Sequence, residues 1–180
     1  MRSVRLKYVI PAILLVLLLC AVAGYFKLQE NGAMNAAAAA PYIVPPIQDT
    51  YTNTTLGFSL GLPDGFAVQE FEEEGGVRTV VLQDPQGNGI QILATPLKED
   101  IPHLSIEMVK RDIPDMKVSD VRLVEIGEGR TGVAFKSDNE AFGGASREVW
   151  FVFRGHIYQI STYARLDELL QSMFTTWQFI

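Results

Sequence analysis

Cysteine occurs once in this chain of 180 residues and histidine only twice. The single thiol, Cys20, lies inside an apolar run near the N-terminus, so residues 51–180 contain no cysteine at all. That excludes a disulfide framework, a zinc-thiolate centre and a cysteine nucleophile from that region. His103 and His156 each lack a second histidine or cysteine at ligand spacing, which argues against zinc. No nucleophile-elbow motif is present to organise a Ser-His-acid triad. Positive charge is scarce too: beyond residue 50 there are 11 basic against 19 acidic residues, a net charge of −8. Such a surface repels phosphate backbones, and nucleic-acid binding is not expected.

The N-terminal region has the opposite character. Arg2, Arg5 and Lys7 precede 19 uncharged residues, Tyr8 to Phe26, rich in Leu, Ile and Val. A helix of that length spans roughly 28 Å, close to the ~30 Å hydrocarbon core of a bilayer. The flanking charges place residues 1–7 in the cytoplasm and send the rest of the chain across. Residues 8–26 therefore read as a transmembrane helix or signal anchor of a single-pass protein of the cell membrane, in contact with lipid. The same stretch carries Ala21-Val22-Ala23 before Gly24, a small-x-small cleavage site, and cleavage after Ala23 would give a secreted protein. A lipoprotein signal is disfavoured, since Leu19 stands where a small residue should precede Cys20.

Residues 27–50 read as an Ala/Pro-rich linker. Ala36 to Ala40 are followed by Pro41, Pro45 and Pro46, which favour extended conformation. A flexible tether of that length spans about 25–30 Å.

Residues 51–180 then alternate in short apolar runs broken by glycine and proline. Strands are expected at Leu56–Leu62, Phe66–Phe71, Val77–Gln83 and Gly89–Thr95, the first two parted by the turn Pro63-Asp64-Gly65. A helix follows, with Ser105 as N-cap, Leu104 and Val109 as a hydrophobic staple and Pro114 as terminator. Two hairpins come next: Val121–Ile126 with Val133–Lys136, and Arg147–Arg154 with Ile157–Tyr163. Val149-Trp150-Phe151-Val152-Phe153 is apolar on both faces, so this strand should be central and covered on both sides. Leu166, Leu169, Leu170, Met173, Phe174 and Trp177 form the stripe of a final amphipathic helix. The order implies an α+β fold, an α/β/α sandwich with a mostly antiparallel sheet and two main helices, preceded by one N-terminal transmembrane helix.

The opening Leu56-Gly-Phe-Ser-Leu-Gly-Leu-Pro-Asp-Gly-Phe66 and the closing Tyr158-Gln-Ile-Ser-Thr162, with the helix after Leu166 and Trp177-Gln-Phe179, resemble PsbP-like domains. The likeness covers most of residues 51–180. It implies an α/β/α sandwich in a group that includes photosystem II extrinsic subunits and anchored bacterial proteins of unknown role. Such proteins mostly bind or stabilise other proteins, and the resemblance carries no shared catalytic residues and no cofactor.

Several local patterns bear on chemistry. Gly127-Glu-Gly-Arg-Thr-Gly132 has the spacing of a dinucleotide fingerprint, but Val133-Ala-Phe135-Lys136 after it alternates as a strand, so it reads as a hairpin turn. Glu70, Glu72 to Glu74, Asp84 and Asn88 lack the spacing of a calcium loop and read as solvated turn charges. Asn53-Thr54-Thr55 is a glycosylation sequon. The segment Asp138 to Ser146, a long hairpin tip with a lone aromatic, suits recognition. Phe142, Gly143 and Gly144 are its expected partner-binding residues, although Phe142 would equally serve by folding back on its own sheet. The expected function is a membrane-tethered, extracytoplasmic, non-catalytic binding or assembly domain, its partner another envelope protein. The rivals are an envelope hydrolase built from His156, Ser161 and Glu148, and a purely structural envelope protein.

Overall fold

The computed structural model describes residues 42–139, 142 and 145–180. The basic N-terminus, the apolar segment 8–26 and the linker up to residue 41 lie outside the described residues. Among the described residues, no helix is long and apolar enough to cross a membrane.

The chain runs β1 (Ile47–Asn53), β2 (Phe58–Pro63), β3 (Ala67–Glu72), β4 (Arg78–Gln83), β5 (Gly89–Pro96), α1 (Ile106–Asp112), β6 (Val118–Ile126), β7 (Arg130–Ser137), β8 (Ser146–Phe153), β9 (His156–Tyr163), α2 (Asp167–Phe174) and β10 (Gln178–Phe179). The strands make two sheets, β1-β2-β10 and β3-β4-β5-β9-β8-β7-β6. Every pairing among the described residues is antiparallel. The expected α+β class with two main helices is observed, but with a second, smaller sheet beside the main one.

Side-chain alternation gives the large sheet two buried faces. Val80, Ile92, Ile160, Val149 and Ala134 are register partners across five strands and face one side. They pack with Phe58 and Leu60 of β2 and with Leu166, Leu169, Leu170, Met173 and Trp177 around α2. Fully burying one such large side chain contributes about 1.5–3 kcal/mol, so this layer holds the principal core. Aromatic contacts give it shape: Phe58 stacks on Trp177 at 4.5 Å and Phe151 on Tyr158 at 4.9 Å. The Tyr158 hydroxyl donates to the Leu56 carbonyl at 2.7 Å, and burial pushes this phenol up to about 12.

The other face presents Leu93, Gln159, Trp150 and Val133 in one register row and Glu148 with Phe135 in the next. All six are buried. The segment around α1 closes this face, since Leu104 and Val109 are buried and the helix packs beside β6. α1 begins as its sequence requires, with Ser105 Oγ accepting from the Met108 N–H at 3.2 Å. Three layers result: α2 with the small sheet, the large sheet, and α1.

Tyr42 to Ile180 is one compact unit. It starts earlier than the expected boundary at residue 51, because β1 begins at Ile47 and Tyr42, Val44 and Ile47 pack against the core. Pro45 and Pro46 precede this edge strand without interrupting its ladder, which is where proline is tolerated beside a sheet.

Candidate functional site

β8 is an interior strand of the large sheet and is covered on both faces, yet after Ser146 it carries two charged residues in succession. Alternation sends Arg147 to one face and Glu148 to the other. Both are 2% exposed.

Glu148 lies between Phe135 of β7 and Ser161 of β9. Its Oε1 accepts from Ser146 Oγ at 2.6 Å and from Asn139 Nδ2 at 3.4 Å. Its Oε2 accepts from Ser161 Oγ and, at 3.5 Å, from Trp150 Nε1. Burial raises the Glu148 pKa above its ordinary value, while the donors, Ser146 and Ser161 foremost, pull it back towards ionisation. Ser137 Oγ lies 2.7 Å from Ser146 Oγ. A hydroxyl has one proton, so with Ser146 donating to the carboxylate, Ser137 donates to Ser146. A relay therefore runs Ser137 to Ser146 to Glu148 at the root of the 138–145 loop.

That root is fastened at several points. The Lys117 N–H donates to Asp138 Oδ1 at 2.9 Å, and the Ala164 N–H to the Ala145 carbonyl at 3.1 Å. Phe142 is half-buried, its ring edge-on to Tyr163 with centroids 5.3 Å apart. Its N–H donates to the Asn139 carbonyl at 3.0 Å. Gly143 and Gly144, expected beside it in a binding loop, lie outside the described residues.

On the opposite face Arg147 reaches Asp120 Oδ2 at 3.2 Å and Asp167 Oδ1 at 3.1 Å, joining the bulge in β6 to the start of α2.

The three residues of the hydrolase alternative are only partly brought together. Ser161 donates to Glu148, but His156 is five residues away along β9 and therefore on the opposite face. The His156 Nδ1 sits 3.0 Å from the Arg154 carbonyl at the turn. No imidazole stands between the serine and the carboxylate, so the pair lacks the base that activates a serine. His103 is exposed before α1.

The remaining candidates resolve into local structure. The glycine-rich segment 127–132 turns β6 into β7, as its strand-like continuation implied. Asp84 closes its own turn by accepting from the N–H groups of Gln86 (2.9 Å) and Asn88 (2.8 Å). Glu70 accepts from the Tyr51 hydroxyl at 2.7 Å and from Asn53 Nδ2 at 3.0 Å. Asn53, the sequon asparagine, is 5% exposed, and its Oδ1 accepts from the Leu56 N–H at 2.8 Å. Among the described residues no three His, Cys, Asp or Glu side chains converge on a common point. A cavity between the sheets, lined by Leu60, Leu82, Ile92, Leu170, Met173 and Trp177, has a volume of about 10 Å³, room for no more than a water molecule.

No family model matches this chain. None of the curated proteins matches it either. Among solved structures, the chain superposes on cyanobacterial PsbP (CyanoP) from Synechocystis sp. PCC 6803, known from its solution structure, with a TM-score of 0.50 and 10% sequence identity. The superposition covers 83% of this chain and 98% of CyanoP.

The fold is that of PsbP.

The PsbP-like domain expected from the opening and closing motifs is thus present. The buried network beneath the 138–145 loop, however, was not anticipated. Its signal was available: Glu148 stands one residue before a run that is apolar on both faces, and a carboxylate in such a strand must be buried with donors around it.

Proposed function

We propose that this chain is a membrane-tethered, extracytoplasmic, non-catalytic binding or assembly domain that meets another envelope protein through the 138–145 loop. The observation that carries the reading is the commitment of Glu148 and Ser161 to each other inside the sheet, remote from His156. The polar residues best suited to hydrolysis are thereby engaged in holding β8, β9 and the loop root. The PsbP-like fold supports an extrinsic, assembly-type role. Membrane tethering rests on the sequence of residues 8–26 and their basic flank, with the N-terminus cytoplasmic.

The test uses the full-length chain in its own membranes, with a photo-crosslinking residue in place of Phe142. The expected outcome is a discrete adduct with one envelope protein, and retention of the chain in the membrane after alkaline wash. A soluble chain beginning at Gly24 would make it a secreted domain, the reading that Ala21-Val22-Ala23 favours. Turnover of a hydrolase substrate that is lost in Ser161→Ala would overturn the non-catalytic reading.

A further inference from the structure

The far end of the large sheet, away from the 138–145 loop, carries a second surface of different chemistry. Arg154 and Gly155 form the two-residue turn between β8 and β9, with φ of 46° and 71°. A hairpin turn with both central residues left-handed favours Asn, Asp or Gly at its first position, because other side chains are strained there. The turn itself gives no reason for an arginine.

The side chain does have a seat. The Arg154 guanidinium carbon lies 5.2 Å from the centroid of Phe153. It rests against Gly57, where an added Cβ would come within 2.7 Å of Arg154 Nη1. Arg130, at the start of β7, stacks on the same ring at 4.5 Å and on Phe179 at 5.2 Å. Phe153 and Phe179 are themselves in contact, with centroids 4.4 Å apart. Sharing one ring keeps the two cations within about 10 Å of each other.

A guanidinium lying on a ring uses its flat face and keeps its N–H edge for hydrogen bonding. Both arginines are exposed, and among the described residues neither forms an ion pair or donates a side-chain hydrogen bond. Two oriented cations thus stand without an ion pair among the described residues, on a region of net charge −8.

We propose that Arg130 and Arg154, seated on Phe153 and Phe179, form a binding site for the carboxylates of an extended acidic segment of a partner protein. The proposal rests on reading the chain as a binding domain and supplies the chemistry of one partner. In an extended chain, side chains at i and i+2 share a face about 7 Å apart, which suits two cations at this separation. Each guanidinium can take a carboxylate in a bidentate fork. A broad anionic surface such as a bilayer fits less well, because it would confront the whole acidic domain, whereas a short segment meets only the two arginines.

The full-length chain in neutral detergent is titrated with a fluorescent Glu-Ser-Glu-Ser-Glu peptide, with its Gln-Ser-Gln-Ser-Gln counterpart as control. The expected result is saturable binding to the acidic peptide alone, weakened at least tenfold in Arg130→Gln/Arg154→Gln and by raising salt from 50 to 500 mM. Arg154→Asn separates binding from folding, since asparagine suits the turn: its Tm should match or exceed that of the parent while peptide affinity falls. Equal binding by the double variant, no binding by the parent, or arginine-dependent binding only to phosphatidylglycerol vesicles or inorganic phosphate would each overturn the proposal. The Phe142 crosslink reports on the other end of the sheet, so the broader reading survives or fails independently of this result.

Discussion

The hydroxyl of Ser146 donates to the buried carboxylate of Glu148 at 2.6 Å, joining one end of the 138–145 loop to the interior of the large sheet. Asn139, at the other end of the loop, donates to the same oxygen at 3.4 Å. A single buried group therefore holds both ends of the segment proposed to meet a partner.

Glu148 imposes a pH dependence whose sign follows from its environment. Burial raises its pKa in the folded state, so the folded chain holds this proton more tightly than the unfolded chain does. Its contribution is most favourable below the ordinary glutamate pKa of about 4.3, diminishes as pH rises through the folded value, and is constant above it. Glu148→Gln should remove that part of the slope, seen by comparing Tm against pH for the two proteins. Glu148→Ala leaves the hydroxyls of Ser146 and Ser161 without their acceptor and should destabilise by about 3 kcal/mol in urea unfolding.

Arg147 predicts an asymmetry between the two sides of one ion-pair network. The arginine is buried, while the side chains of Asp120 and Asp167 are 40% and 26% exposed. Arg147→Met leaves two partly exposed carboxylates, with the Asp167 Oδ1 atom itself buried, so the loss should be smaller than that of stranding the arginine. Asp120→Asn with Asp167→Asn instead strands a buried guanidinium and should cost about 3–5 kcal/mol. Equilibrium denaturation of the two variants decides the order.

Gly132 is a packing position in β7. A Cβ there would meet Ile126 Cδ1 at 2.6 Å and the Trp150 carbonyl oxygen at 3.0 Å. The carbonyl belongs to the adjacent strand and has little freedom to move. Gly132→Ala should therefore destabilise by about 1–3 kcal/mol, read as a lowered urea midpoint at constant m-value.

These sites also show what a sequence of this kind reveals. The α2 stripe, the Ser105 cap and the Pro63-Asp64-Gly65 turn are local patterns; the cap and the turn formed where they lay, and the helix formed within its stripe at Asp167–Phe174, with Leu166 and Trp177 flanking it. β1 was hidden because the prolines before it read as linker, and its evidence is pairing with β2, a partner contributed from elsewhere in the chain. The division into two sheets was hidden for the same reason, since pairing partners are not written in local periodicity. Phe142 stood out in the sequence as a lone aromatic in a polar loop. The network under it did not, because Ser137, Asn139, Ser146, Glu148 and Ser161 come from two hairpins and converge only once β7, β8 and β9 are in register.

The reading of the domain as a binding module is tested most directly at Phe142. With a photo-crosslinker at that position in the full-length chain, irradiation of intact membranes should trap one envelope protein. Glu148→Ala, which removes the hydrogen bonds from Ser146 and Asn139 to the sheet interior, should diminish that adduct at least severalfold. A chain that traps nothing, and that in purified form turns over a substrate through Ser161, would contradict the account.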